Sequence, residues 1–156
     1  MSFESVYEQH FAPLFRYVHR WTGDSDAAED VVQETFVRYL LSSVPEHEAR
    51  PWLFRVASNL LRDDRRRHMR RRRLVLEWTW WRRDAADQEK GVRTVERTRA
   101  GEALGRLAER DRTMLLMREE GFSYREIAEV VGVAPGSVGT LLARALRRFK
   151  EAYERG

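Results

Sequence analysis

The chain has 156 residues, 42% of them hydrophobic and 35% charged, and it contains no cysteine. That length and composition fit folded domains, one of ordinary size or two small ones, and argue against disorder throughout. The absence of cysteine excludes disulfides, thiolate metal sites and cysteine nucleophiles, and leaves any redox sensing to a partner.

The formal net charge of +4 hides an asymmetry. Residues 1–61 carry five Arg against nine Asp and Glu, whereas residues 62–73 carry eight Arg against only Asp63 and Asp64. So local a basic tract points to a polyanion partner, most often nucleic acid. Met1 to Gln9 has acidic residues and no apolar stretch of the signal type, and no run approaches a membrane span, so a cytoplasmic protein without a membrane partner is expected.

In chain order, Phe3, Val6, Tyr7, Phe11, Leu14, Phe15, Val18 and Trp21 have the spacing of an amphipathic helix that should stop near Gly23. Asp26 and Glu29 have the spacing of a capping box for a second helix, whose apolar positions run through Ala28, Val31, Val32, Thr35, Phe36, Tyr39 and Leu40. Ser42 to Glu48, with Pro45, breaks it. A third helix from about Pro51 carries Trp52, Leu53, Val56, Ala57, Leu60 and Leu61 into the arginine tract.

Periodicity fades between about Leu74 and Val95, and Asp84 to Gly91 reads as a linker. Residues 96–153 then predict four more helices: through Ala103, Leu104 and Leu107, through Met114 to Met117, from Ser123, and from near Pro135. The expected fold is all-α, two small helical domains (1–73 and 96–156) joined by a linker (74–95).

The sharpest motif begins at Gly121. Ser123 and Glu126 can form a capping box, and Ala128, Gly132 and Val138 stand where a helix-turn-helix needs a small contact residue, a turn glycine and a branched apolar residue. Val138, Leu141, Leu142, Ala145 and Phe149 would form the buried stripe, leaving Gly136, Ser137, Thr140, Arg144, Arg147 and Arg148 outward. DNA binding is the functional reading, and a helical hairpin with solvated arginines is the alternative. The small uncharged residues near the helix start suit backbone approach and phosphate contact better than bidentate base reading.

A helix-turn-helix behind a separate bundle whose second helix reads DAAEDVVQETFVRYL, Asp26 to Leu40, resembles the extracytoplasmic-function group of bacterial RNA polymerase sigma factors. The resemblance covers nearly the whole chain and is weakest in residues 74–95. It implies that Asp30, Gln33, Glu34 and Arg38 contact the β′ clamp of core polymerase. From the residues alone, a solvated helix face with intrahelical pairs is the favoured reading.

The segment RPWLFRVASNLLRDDRRR, Arg50 to Arg67, is similar to the family's promoter-opening helix. The resemblance makes Arg55, Asn59, Arg62, Arg65 and Arg66 contacts to the minus-10 element and Ser42 to Glu48 the base-selecting loop. Basic residues that track a backbone beside pockets for unstacked bases suit that role. Trp52 fits either the core or DNA, with Leu53 and Val56 beside it favouring the core. Asn59, a poor helix former, should be buried and hydrogen-bonded or touch DNA.

The second domain is similar to sigma region 4, which implies minus-35 contacts from Ser137, Thr140, Arg144 and Arg148 and a contact with the polymerase β flap. Gly139 and Leu141 depart from the family pattern, which often has basic or polar residues there. Trp78, Trp80 and Trp81 would either anchor the linker on polymerase or pack on a domain. The family also implies an anti-sigma partner that covers the polymerase-binding faces.

His10, His19, His47 and His68 show no metal spacing or nucleophile partner, and glycine-rich phosphate loops are missing, so neither enzyme nor cofactor is expected. The competing reading is a repressor or activator that uses the helix-turn-helix without joining polymerase.

Overall fold

The computed structural model describes residues 2–63 and 94–156, the latter with side chains from residue 99 onward. Every regular element among them is helical: α1 (Phe3–Thr22), α2 (Ser25–Leu40), α3 (Ala49–Arg62), α4 (Thr94–Gly105), α5 (Glu109–Glu119), α6 (Tyr124–Val131) and α7 (Val138–Arg155). They fall into two compact units, α1 to α3 and α4 to α7. Residues 74–93 of the expected linker, the tract residues Arg65 and Arg66, His68 and the three clustered tryptophans lie outside the described residues, while positions 94 and 95 of that linker already belong to α4.

In the first unit each helix packs on the other two. Gly23 ends α1 with a left-handed φ of 68°, its N–H donating to His19 O at 2.8 Å, as the sequence led one to expect. That turn leaves Asp24 extended, and its carboxylate accepts from the N–H groups of Asp26 and Ala27. Asp24 therefore caps α2 in place of the expected Asp26 and Glu29 box, and Glu29 is buried instead. α3 begins two residues before Pro51, which still sits in the first turn, where its missing N–H costs nothing.

Leu14, Tyr17, Val18, Val31, Phe36, Leu53 and Phe54 are among the side chains wholly buried in this core. Each contributes about 1.5–3 kcal/mol relative to exposure. The one hydroxyl pair at the α1–α3 contact is satisfied: Ser58 Oγ donates to Phe54 O at 2.6 Å and lies 2.7 Å from the Tyr17 hydroxyl. With the Ser58 proton so committed, Tyr17 is the donor of the second bond.

His10 is also buried. Burial, and then the Arg50 guanidinium, lower its pKa, while Glu46 pulls the other way. Since the unfolded imidazole titrates near 6.5, the unfolded chain binds more protons just below that pH. His10 therefore adds stability that is fully present above about pH 6.5 and is lost as pH falls below it. Melting curves between about pH 5.5 and 7.5 should show a loss on acidification that His10→Gln reduces; parallel curves for the two proteins would assign the loss to other groups.

In the second unit α7 packs on α4, α5 and α6, and α5 on α6. The capping box at Ser123 is present in full, with Glu126 N–H donating to Ser123 Oγ at 3.1 Å and Ser123 N–H donating to Glu126 Oε1 at 2.9 Å. Gly132 closes α6 in the left-handed region, φ 75°. A Cβ there would meet nothing within 4 Å, so the backbone conformation, not space, demands glycine. A 3-10 turn, Pro135–Ser137, leads into α7.

Candidate nucleic-acid and protein interfaces

At about 100° per residue, Asp30, Gln33, Glu34, Val37 and Leu41 share one face of α2, with Leu40 and Arg38 on its flanks. Of the four residues expected on this surface, Asp30 is buried and the other three are half-buried. Glu34 and Arg38 pair at 3.1 Å one turn apart, the intrahelical bond the residues alone allowed. Gln33 Nε2 is buried without a hydrogen-bond partner among the described residues.

Leu40 continues the apolar spacing of α2, yet it is 58% exposed, and Val37 and Leu41 are 49% and 82% exposed. The core stripe centred on Val32 and Phe36 ends at Tyr39, and Leu40 has already turned past it. Three open aliphatic side chains at one helix end form the site signal that sequence reasoning missed. Three apolar residues so close together, only one of which fits the buried stripe, was the available clue.

On α3, Arg55, Asn59 and Arg62 are all exposed and lie on one face. The expectation that Asn59 is buried or bound therefore resolves to an outward side chain. Trp52 borders this face half-buried, its ring edge-on to Tyr39 at 5.6 Å between centroids. Next to it, Tyr39 Oη donates to Val44 O at 3.1 Å in the loop between α2 and α3. Arg50 turns away from the stripe and lies over the Phe54 ring.

In the helix-turn-helix, Ala128 and Val138 are buried as expected, and so are Leu142 and Ala145, while Leu141 and Phe149 are half-buried. Ser137, Thr140, Arg144, Arg147 and Arg148 are exposed along one face of α7. Arg148 departs from the other arginines. Its guanidinium donates to Asp111 Oδ2 at 2.8 Å, and the Asp111 side chain is only 3% exposed. Arg148 therefore ties α7 to α5, whereas Arg144 and Arg147 have no ion-pair partner among the described residues. Gly139 lies beside the Tyr124 ring, and a Cβ there would make an ordinary van der Waals contact at 3.5 Å, so space does not explain the glycine. Leu141 is half-buried, which gives that departure from the family pattern a packing reason.

No group of three His, Asp or Glu residues able to hold a metal occurs among the described residues, and no single helix there is long and apolar enough to cross a membrane. A helix-turn-helix with a basic outward face, accompanied by a separate three-helix unit, defines an all-helical DNA-binding protein. Residues 6–71 match the family model for sigma-70 region 2, and residues 97–149 match that for sigma-70 region 4. The ECF RNA polymerase sigma factor SigL of Mycobacterium tuberculosis is 32% identical over 151 residues, 94% of this chain and 85% of its own. The sigma factor YlaC of Bacillus subtilis is 30% identical over 161 residues, 96% of this chain and 91% of its own. Among solved structures, the sigma factor RpoE of Bartonella quintana, in complex with the anti-sigma factor NepR, has the same fold, with a TM-score of 0.65 over 97% of this chain and 96% of that one at 18% identity. The chain belongs to the extracytoplasmic-function group of the sigma-70 family.

Proposed function

We propose that the chain joins core RNA polymerase, directs it to promoter DNA and holds the opened strand so that transcription can start. The carrying observation is the outer face of α2, where Val37, Leu40 and Leu41 stand open to water beside Gln33, Glu34 and Arg38. Such a face suits a protein subunit that docks on the β′ clamp. The exposed stripe Arg55, Asn59 and Arg62, extended in sequence by Arg65 and Arg66, then suits a single strand of the minus-10 element, and the loop from Ser42 to Glu48 suits an unstacked base. On the second unit, Ser137, Thr140 and Arg144 face the minus-35 duplex, and the unit also meets the β flap.

The chain does no bond chemistry in this scheme. Opening is favoured because the unpaired strand, once formed, gains contacts that the duplex lacks. The same outward apolar face is a target for an anti-sigma factor, which would silence the protein by occupying it. Since template and polymerase are cytoplasmic in bacteria, so is the protein's place of action.

The test is thymine reactivity toward permanganate on promoter fragments. Unpaired thymines should appear around the minus-10 element only when core polymerase and this chain are both present. If the chain protects duplex DNA by itself and core polymerase changes nothing, it is a repressor or activator instead.

A further inference from the structure

The loop between α2 and α3 is held at both halves in the free chain. At its start, Ser42 Oγ donates to Tyr39 O at 2.7 Å and accepts from Val44 N–H at 3.3 Å, while the Tyr39 hydroxyl reaches forward to Val44 O at 3.1 Å. Farther on, Ser5 Oγ in the first turn of α1 donates to Glu46 Oε1 at 2.9 Å, and Glu48 N–H donates to Pro45 O at 3.0 Å. Ser5 is itself placed by the α1 cap, where its N–H donates to Ser2 Oγ. The Tyr39 ring is fixed against Trp52; its hydroxyl is protonated at neutral pH as any tyrosine's is, and burial, then Glu46, raise its pKa further. Between these anchors Ser43, Pro45 and His47 face solvent.

We infer that Tyr39 and Ser5 are positioning residues for promoter selection: from two different helices they preset the loop, so that Ser43, Pro45 and His47 meet the unstacked base in one arrangement. This rests on the reading of Ser42 to Glu48 as the base-selecting loop. A loop that must be ordered by its ligand loses binding free energy to that ordering, and it can refit around a wrong base. A loop already held cannot refit, so the mismatch cost remains in the difference between right and wrong bases. One anchor is local, Tyr39 to Val44, and the other joins residues 41 apart, Ser5 to Glu46; neither belongs to the DNA-facing stripe of α3 or to the outer face of α2.

The experiment uses the full chain with core polymerase on a promoter library randomised across the minus-10 element. Tyr39→Phe keeps the ring on Trp52 and removes only the hydroxyl; Ser5→Ala removes the second anchor at an exposed position. In the double variant, preference for the favoured base at one or more minus-10 positions should fall by about three- to tenfold, the change that losing one or two hydrogen bonds produces. Core affinity and minus-35 preference should hold, which separates positioning from a general structural defect. A parallel variant replaces Ser43, Val44, Pro45 and His47 with glycine. If that variant changes base preference while the anchor variants do not, the positioning role is overturned and the loop assignment stands. If the glycine variant also leaves preference unchanged, the loop assignment itself fails and the inference falls with it.

Discussion

Leu40→Gln with Leu41→Gln is expected to weaken binding to core polymerase by about tenfold or more, with little change in the stability of the free chain. Both side chains are more than half open to water, so their loss removes nothing from the core, and exposed substitutions usually shift stability by about 0.5 kcal/mol or less. Glutamine is chosen because an acid at this helix C-terminus would add an unfavourable interaction with the helix dipole. At an interface the same leucines become buried, and truncating central apolar contacts there costs about 1–2 kcal/mol each or more. Binding measured by fluorescence anisotropy, beside a thermal melt, checks both halves. Unchanged affinity in a folded variant would remove the outer face of α2 from the docking surface.

The second large effect separates two arginines that look alike on a helical wheel. Arg148→Ala leaves the Asp111 carboxylate buried without its ion-pair partner. Complete loss of a buried pair's partner costs about 3–5 kcal/mol. Because the Arg148 side chain is itself 50% exposed, and Asp111 lies in the first turn of α5, where the helix N-terminus favours it, a value of about 2–3 kcal/mol is expected. For a unit of this size that is on the order of 10 °C in melting temperature. Adding Asp111→Asn should restore most of it, since the buried group is then neutral. Arg144→Ala should leave stability within about 0.5 kcal/mol and reduce the salt dependence of DNA binding by about one counterion. If the two variants behave alike, the pairing of Arg148 has no energetic weight.

These cases show what was legible in the chain beforehand. Ser123, Glu126, Gly132 and Val138 could be placed because each acts on backbone or neighbours within a few residues, where spacing translates directly into geometry. The stop at Gly23 belongs to the same class. The cap of α2 was misplaced by two residues because three short polar side chains, Asp24, Ser25 and Asp26, stand in a row, and only the conformation left by Gly23 decides which one is extended. That Leu40 is exposed although it continues the apolar spacing was not legible, because a 3.6-residue period has soft edges and the element packed alongside determines where burial ends. Bonds between distant positions were beyond reach: Asp111 with Arg148 joins residues 37 apart, and Ser5 with Glu46 joins residues 41 apart. Nothing in a linear pattern pairs them. The reading of α2 as a docking surface likewise rests on resemblance, since its charges alone fit a solvated helix better.

The central claim is that this chain gives core polymerase its start sites. The most direct measurement is to add the purified protein to core bacterial RNA polymerase on fragmented genomic DNA from the same source and map transcript 5′ ends with and without it. New starts that share an upstream motif at fixed spacing are the predicted result. Contradiction would be a set of starts that does not change although the protein is folded and binds DNA.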